Sequence, residues 1–325
     1  MINYQNNSTL TEWPEIPTRP LPPELSGLPT IEAKIKYRIA EGRPRPGIEG
    51  PIFDREGNFY LCHTLDDVTY VKKITSDGDI TDFFRYDSMI VGLAVHHNGT
   101  IFGADLRRGG FIEIDPEGNQ IGFIETKRPD GSSMMSDDMV FDARGNLYFT
   151  DFEGNYYQPK GGIYRIDADD DYRVVKPVLI ESPGTMNGIS FSPDFSVLWV
   201  ADSAGKRVLR IILDQDGLPI RRASGVFAIS LPYGVYHPDS NKVDTAGNLY
   251  QAMMHGGWVL IYDSFGVPIA NVVVPDRQRG RLLNTPNLAI CPGSNEAYLC
   301  ASDEHDVVIL NFPTLAPGMM LYSHM

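Results

Sequence analysis

The sequence predicts an all-β protein, a six-bladed β-propeller. Three observations carry this: a motif that recurs six times, hairpin turns at matching places in each repeat, and no 3.6-residue helical pattern between them. Each copy joins an alternating apolar strand, a tight turn and a second strand rich in Leu, Tyr, Phe and Trp. The copies read EGPIFDREGNFYLC from Glu49, VGLAVHHNGTIFGAD from Val91, DDMVFDARGNLYFTD from Asp137, NGISFSPDFSVLWVAD from Asn187, DSNKVDTAGNLYQAM from Asp239 and PNLAICPGSNEAYLCAS from Pro286. Their starts lie 42, 46, 50, 52 and 47 residues apart, which is far too long for a β-helix coil and fits one four-stranded blade.

Turn chemistry supports each hairpin. Glu56-Gly57-Asn58, Asn98-Gly99, Arg144-Gly145-Asn146 and Ala246-Gly247-Asn248 link the first two strands of their repeats. A second set of turns, at Ser76–Asp79, Asp115–Asn119, Asp214–Gly217 and Asp263–Gly266, follows further β-runs such as GGFIEI, KRVLRIIL and GWVLIY. The first 30 residues carry six prolines, from Pro14 to Pro29, and are expected to form an extended arm, with residues 31–325 a single propeller domain. The last repeat is short after VVILNF, so Ile31–Ala40 is expected to complete the sixth blade and close the ring, which removes two free sheet edges.

Composition narrows the function classes. A hydrophobic content of 42% with 22% charged residues is that of a globular protein with a real core. The formal net charge of −14 argues against nucleic acid and anionic membranes as partners. No apolar run is long enough to span a bilayer, and the N-terminus shows neither the basic nor the apolar segment of a secretory leader. Cys62, Cys291 and Cys300 make neither a disulfide framework nor a zinc site, so Cys62 and Cys300 read as buried free thiols and the cytoplasm as the expected compartment.

Aligned on the start of the first strand, the repeats place Glu49, Val91, Asp137, Asn187, Asp239 and Pro286 in register. First strands line the central channel of a propeller, so these positions converge on its axis. Three carboxylates and an amide meeting there repel one another unless a cation neutralises them. An all-oxygen set without His or Cys suits a hard cation, Ca²⁺ first, with Mg²⁺, Mn²⁺ and Zn²⁺ as alternatives. Ser240 stands next to Asp239 and can add a hydroxyl.

These residues are similar to those of the gluconolactonase, regucalcin (senescence marker protein) and drug-responsive lactonase family, most of all its bacterial drug-responsive lactonases. The resemblance runs from about Ile31 through the sixth repeat. Its most specific pieces are IEGPIFDREGNFY, DDMVFDARGNLYFTDFEG followed by PKGGIYRI, MNGISFSPDFSVLWVADS, and HPDSNKVDTAGNLY. It implies a six-bladed propeller with an axial divalent cation held by Glu49, Asn187 and Asp239, with further contributions from Asp137 and Ser240. It also implies that Asp239 is the catalytic acid/base. The expected reaction is Ca²⁺-dependent opening of a small-molecule lactone, in which the metal polarises the carbonyl and a water while Asp239 moves the proton. Of the pattern that holds a second ion in drug-responsive lactonases, only Gly110, Ser132 and Asp130 remain. Arg107 and Arg108 are the candidates for the family's contacts to hydroxylated substrates.

Methionines flank the predicted site. Met135 and Met186 are taken as substrate contacts, with Met134, Met139, Met253 and Met254 nearby, and a soft apolar lining points to a hydrophobic or aromatic lactone. His237 and His255, at loop ends of the fifth repeat, are further substrate-binding candidates, whereas His96 and His97 read as solvent-facing turn residues. A phosphotriesterase-like hydrolase on the same metal, and a non-catalytic Ca²⁺-binding propeller, are the competing readings. The chain has no GxSxG, HExxH, Walker or GxGxxG motif, and the acidic run Asp167–Asp171 lacks the glycine and final glutamate of an EF-hand, where Tyr172 and Val178 stand instead.

Overall fold

The computed structural model describes residues 21–41, 47–155, 157–170, 172–220, 226–230 and 236–325. Most of the expected N-terminal arm, residues 1–20, lies outside them. Six sheets, antiparallel except for one parallel outermost pair in the fifth, surround a central channel. The strands run from the axis outward in chain order through the first five blades. Their inner strands are Gly47–Phe53, Ile90–Val95, Ser136–Phe141, Met186–Phe191 and His237–Val243, and Leu288–Ile290 is the inner strand of the sixth.

The hairpins recur because a recurring residue pair builds them. Asp54 accepts the backbone N–H of Asn58 at 2.8 Å and its side-chain amide at 2.7 Å. Asp142 with Asn146 and Asp244 with Asn248 repeat the arrangement. Between each pair lies a glycine with φ of +80 to +84°, which an L side chain adopts only with strain. Packing repeats too. Six apolar clusters fill the six interfaces between neighbouring blades, with Trp199 and Trp258 between the fourth and fifth and Phe111 and Phe149 between the second and third.

Ring closure differs from expectation in its first residues. Lys34–Glu41 pairs antiparallel with Asp306–Pro313 as the outer strand of blade six, but Thr30–Glu32 pairs in parallel with Pro268–Val273 of blade five. The chain crosses from one blade to the next at Ala33, which is buried in the core they share. The segment before it is not extended throughout: Pro23–Ser26 makes one helical turn, with Pro23 in the first turn, where its missing N–H costs nothing. Leu25 is buried against blade five, and Asn271 of that blade donates to its carbonyl at 2.8 Å.

The two ends of the channel are unlike. At the C-terminal ends of the inner strands, the last segment of the chain lies across the opening. Met319, Met320, Leu321 and Tyr322 there face Phe53, Val95, Phe141 and Phe191 around an apolar axial cavity. This corrects the reading of His96. Its ring is half-buried against Phe141 and Tyr322, at 5.4 and 5.1 Å between centroids, because the C-terminal segment folds back over a turn that would otherwise face water. No helix among the described residues is long and apolar enough to cross a membrane.

Candidate active site

At the opposite end, each of the first five inner strands carries one extra residue relative to its partner strand. In blade three Ser136 pairs with Asp151 and Met139 with Phe149, so three steps on one strand oppose two on the other. Blades one, two, four and five bulge at the equivalent place. The bulges fall on Val91, Asp137, Asn187 and Asp239, and in blade one directly after Glu49, and a bulge re-aims the side chains it carries or adjoins. Glycine follows three of these positions because neighbouring strands approach too closely for a Cβ. A Cβ on Gly92 would lie 2.4 Å from the Asp137 carbonyl oxygen, and one on Gly188 would lie 2.4 Å from Cα of Ser240.

Buried polar side chains fasten this ring. The Thr150 hydroxyl accepts the Asp138 N–H at 3.2 Å and donates to the Asn187 carbonyl at 2.7 Å, tying blade three to blade four. The side-chain amide of Gln251, fully buried, donates to the carbonyls of Asp239 at 3.0 Å and Ser240 at 3.2 Å. Ser203 donates to the Pro238 carbonyl at 2.7 Å, and the Ser240 N–H donates to Pro286 at 3.0 Å. The backbone that carries Asp239 is therefore held from blades four, five and six.

Glu49, Asp137 and Asp239 act on one another electrostatically. Burial raises the Glu49 carboxyl well above the usual range, the charges of Asp239 and Asp137 add to the rise, and a hydrogen bond from Asn287 opposes it. Asp137 is raised likewise, by burial first and then by Asp239, Asp138 and Asp151. Asp239 is pushed up to about 7, chiefly by burial. The Asn187 amide and the Ser240 N–H pull it down, and the Asp138 charge pushes it further up. Asn187 is buried, and its Oδ1 has no hydrogen-bond partner among the described residues. An orphaned amide oxygen beside carboxylates that resist ionising is a donor set short of positive charge, and a divalent cation fits it. Glu49, Asn187 and Asp239 would hold the ion, with Asp137 and Ser240 beside them. Among the described residues no three His, Cys, Asp or Glu side chains stand in ligating geometry.

The substrate-contact candidates separate. Met135 is partly exposed. Met186 is fully buried in the core between blades three and four and offers no surface to a ligand; Met134, Met139 and Met253 likewise pack the core. His237 and His255 meet edge to face at 5.4 Å, and His255 Nδ1 lies 3.0 Å from Asn284 Oδ1. His255 holds a left-handed backbone at φ +61°, unusual for a residue with a Cβ. Arg107 pairs with Asp67 at 2.6 Å, and Arg108 lies over Phe123 and donates to the Tyr86 hydroxyl, so both are engaged by the scaffold. Asp130 accepts the N–H and hydroxyl of Ser132 in a local turn.

Sequence reasoning passed over Asp138, Asn287, Lys242, Gln251 and Thr150. A signal was available for Thr150 and Gln251: each is a polar residue in a run otherwise apolar enough to be core. The Asp at the end of the second strand in blades two, three and four, by contrast, repeats in sequence as regularly as the axial set and is structural. Asp105, Asp151 and Asp202 each accept backbone N–H groups of adjoining loops.

Residues 49–281 match the family described as SMP-30/Gluconolactonase/LRE-like region. The chain is similar to Lactonase drp35 of Staphylococcus haemolyticus, with 33% identity over 285 residues, covering 86% of this chain and 84% of that one. Lactonase drp35 of Staphylococcus epidermidis is 34% identical over 285 residues, again covering 86% and 84%. Among solved structures, a gluconolactonase from Xanthomonas campestris aligns with a TM-score of 0.66 at 17% identity, over 86% of this chain and 95% of that one. Regucalcin from Agrobacterium tumefaciens, a calcium-binding protein, aligns with a TM-score of 0.67 at 20% identity, over 90% and 98%. Likenesses at such identities bear on the fold alone.

Proposed function

The chain belongs to the SMP-30/gluconolactonase/LRE-like family, and we propose that it opens lactone rings with a divalent cation, Ca²⁺ first, held on the propeller axis. That it is a hydrolase acting on lactones is what its lactonase relatives, about one-third identical over most of the chain, support. The cation and the roles of individual residues rest on one observation: three carboxylates raised first by burial, and further by charges within the acidic cluster, around the unpartnered Oδ1 of Asn187.

When bound, a divalent cation at this point polarises a carbonyl oxygen and acidifies water. The chain's own residues do the rest. Asp239, its backbone clamped by Gln251, takes the proton of the attacking water and returns it to the ring oxygen as the ester bond breaks. The Asn187 amide orients the Asp239 carboxylate, and Asn287 does the same for Glu49. Met135 and Met254, both partly exposed, give the mouth an apolar, adaptable surface, with the edge-to-face His237–His255 pair as a further candidate contact. A hydrophobic or aromatic lactone suits that mouth better than a polyhydroxylated one. Buried free thiols at Cys62 and Cys300 accord with a cytoplasmic setting.

The test is hydrolysis of dihydrocoumarin, an aliphatic γ-lactone and an aldonolactone, in excess EGTA and after return of Ca²⁺, Mg²⁺, Mn²⁺ or Zn²⁺. Turnover should vanish on chelation, return with a divalent cation and be fastest on dihydrocoumarin. Asp239→Asn should fold and lose roughly 10²–10⁴ of kcat. Full turnover in EGTA, or an Asp239→Asn variant as active as the parent, defeats the mechanism.

A further inference from the structure

Asp138 is a fourth carboxylate beside the proposed cation set, and its charge bears on Glu49, Asp137 and Asp239 alike. Its side chain is only 5% exposed. One oxygen accepts the Met139 N–H at 2.9 Å, and the other faces the ammonium of Lys242 at 3.3 Å, which reaches from the inner strand of blade five to that of blade three. Among the described residues, Lys242 is the only cationic side chain lining the apolar axial cavity below the acidic ring, where the lining includes Leu93, Met139 and Ile189. A lysine placed among apolar residues loses solvation that only a close partner restores. Its position near a proposed cation site is costly in a second way, because two positive charges in a poorly screened channel repel.

We propose that Lys242 is the internal counter-charge of the acidic ring. It fixes Asp138 by a side-chain ion pair, keeps that carboxylate from joining the cation's ligands, and holds the affinity of the axial site below what four free carboxylates would give. The inference rests on the divalent-cation reading above. With Lys242 in place the four carboxylates and one divalent ion carry a net charge near −1, and a second divalent ion at the same ring is disfavoured. Without it, Asp138 turns to the ion.

Calorimetric titration of the EGTA-stripped protein with Ca²⁺ tests this without reference to turnover. Lys242→Met should bind Ca²⁺ roughly ten-fold more tightly than the parent, and Asp138→Asn roughly ten-fold more weakly. The double variant should return close to the parent, because the charges removed cancel. Lys242→Arg should stay within about three-fold of it. The rise in melting temperature on adding Ca²⁺ should be larger for Lys242→Met than for the parent. Should Lys242→Met fail to fold, the double variant, which leaves neither charge unpaired, must still bind more tightly than Asp138→Asn alone. Affinity in Lys242→Met equal to or weaker than the parent's overturns the proposal, as does a double variant that binds no more tightly than Asp138→Asn alone. A parent that takes up no Ca²⁺ overturns the cation reading itself, and this inference with it.

Discussion

Replacing Gln251 with Leu keeps the volume of a fully buried side chain and removes its hydrogen bonds. The Gln251 amide nitrogen serves the carbonyls of Asp239 at 3.0 Å, Ser240 at 3.2 Å and Ala252 at 3.0 Å, and its oxygen accepts from Asn241 at 3.3 Å. Two of those carbonyls lie in the bulge that aims Asp239. Each buried polar group left unsatisfied costs about 1–3 kcal/mol, and the two amide hydrogens satisfy two carbonyls fully at any instant. The loss is thus about 2–6 kcal/mol, which for a chain of 325 residues lowers Tm by roughly 3–9 °C. The bulge relaxes as well, so the Ca²⁺-induced rise in Tm should shrink along with the Tm itself. Differential scanning calorimetry in EGTA and in saturating Ca²⁺ measures both. A Tm within about 1 °C of the parent, with the same response to Ca²⁺, would refute the claim that this amide holds the site.

Three further outcomes follow from other parts of the molecule. Gly188→Ala places a Cβ 2.4 Å from Cα of Ser240 and 2.6 Å from the Asn241 nitrogen, atoms of backbone that cannot yield, so it should cost roughly 3 kcal/mol or more in a denaturant melt. Gly27→Ala, with φ −85° and nothing within 4 Å of the added carbon, should cost almost nothing in the same melt. Asp303 gives a pH effect: burial by itself would raise its carboxyl, but Arg281 and the N–H groups of Leu282, His305 and Asp306 outweigh burial and hold it at about 2. A folded pKa below the unfolded one adds stability that is present above about pH 4 and disappears as pH falls towards 2. Asp303→Asn should therefore flatten the acid limb of the stability curve by about 2 kcal/mol; an unchanged limb would show that the pairing contributes nothing.

The fold was legible because the information is local and repeated six times. The Asp-x-x-Gly-Asn turns at Asp54, Asp142 and Asp244 need only five consecutive residues to form, and the alternating strands beside them need only a period of two. Glu49, Asp137, Asn187 and Asp239 were legible for the same reason, since equal spacing within equal blades puts equal positions on one axis. Other features depend on how distant blades meet. Asn287 lies one position beyond the register that singled out Pro286, and its approach to Glu49 exists only once blade six closes on blade one. The pairing of Lys242 with Asp138 spans 104 residues of sequence and two blades, and no local pattern distinguishes it from a solvent-facing lysine. His96 changed from a turn residue facing water to one packed among rings because a segment more than 200 residues later lies across it. Short-range periodicity determined the blades and the ring of axial acids. Tertiary packing alone decided which buried polar groups hold those acids, because burial and charge pairing are set by neighbours that sequence distance does not reveal.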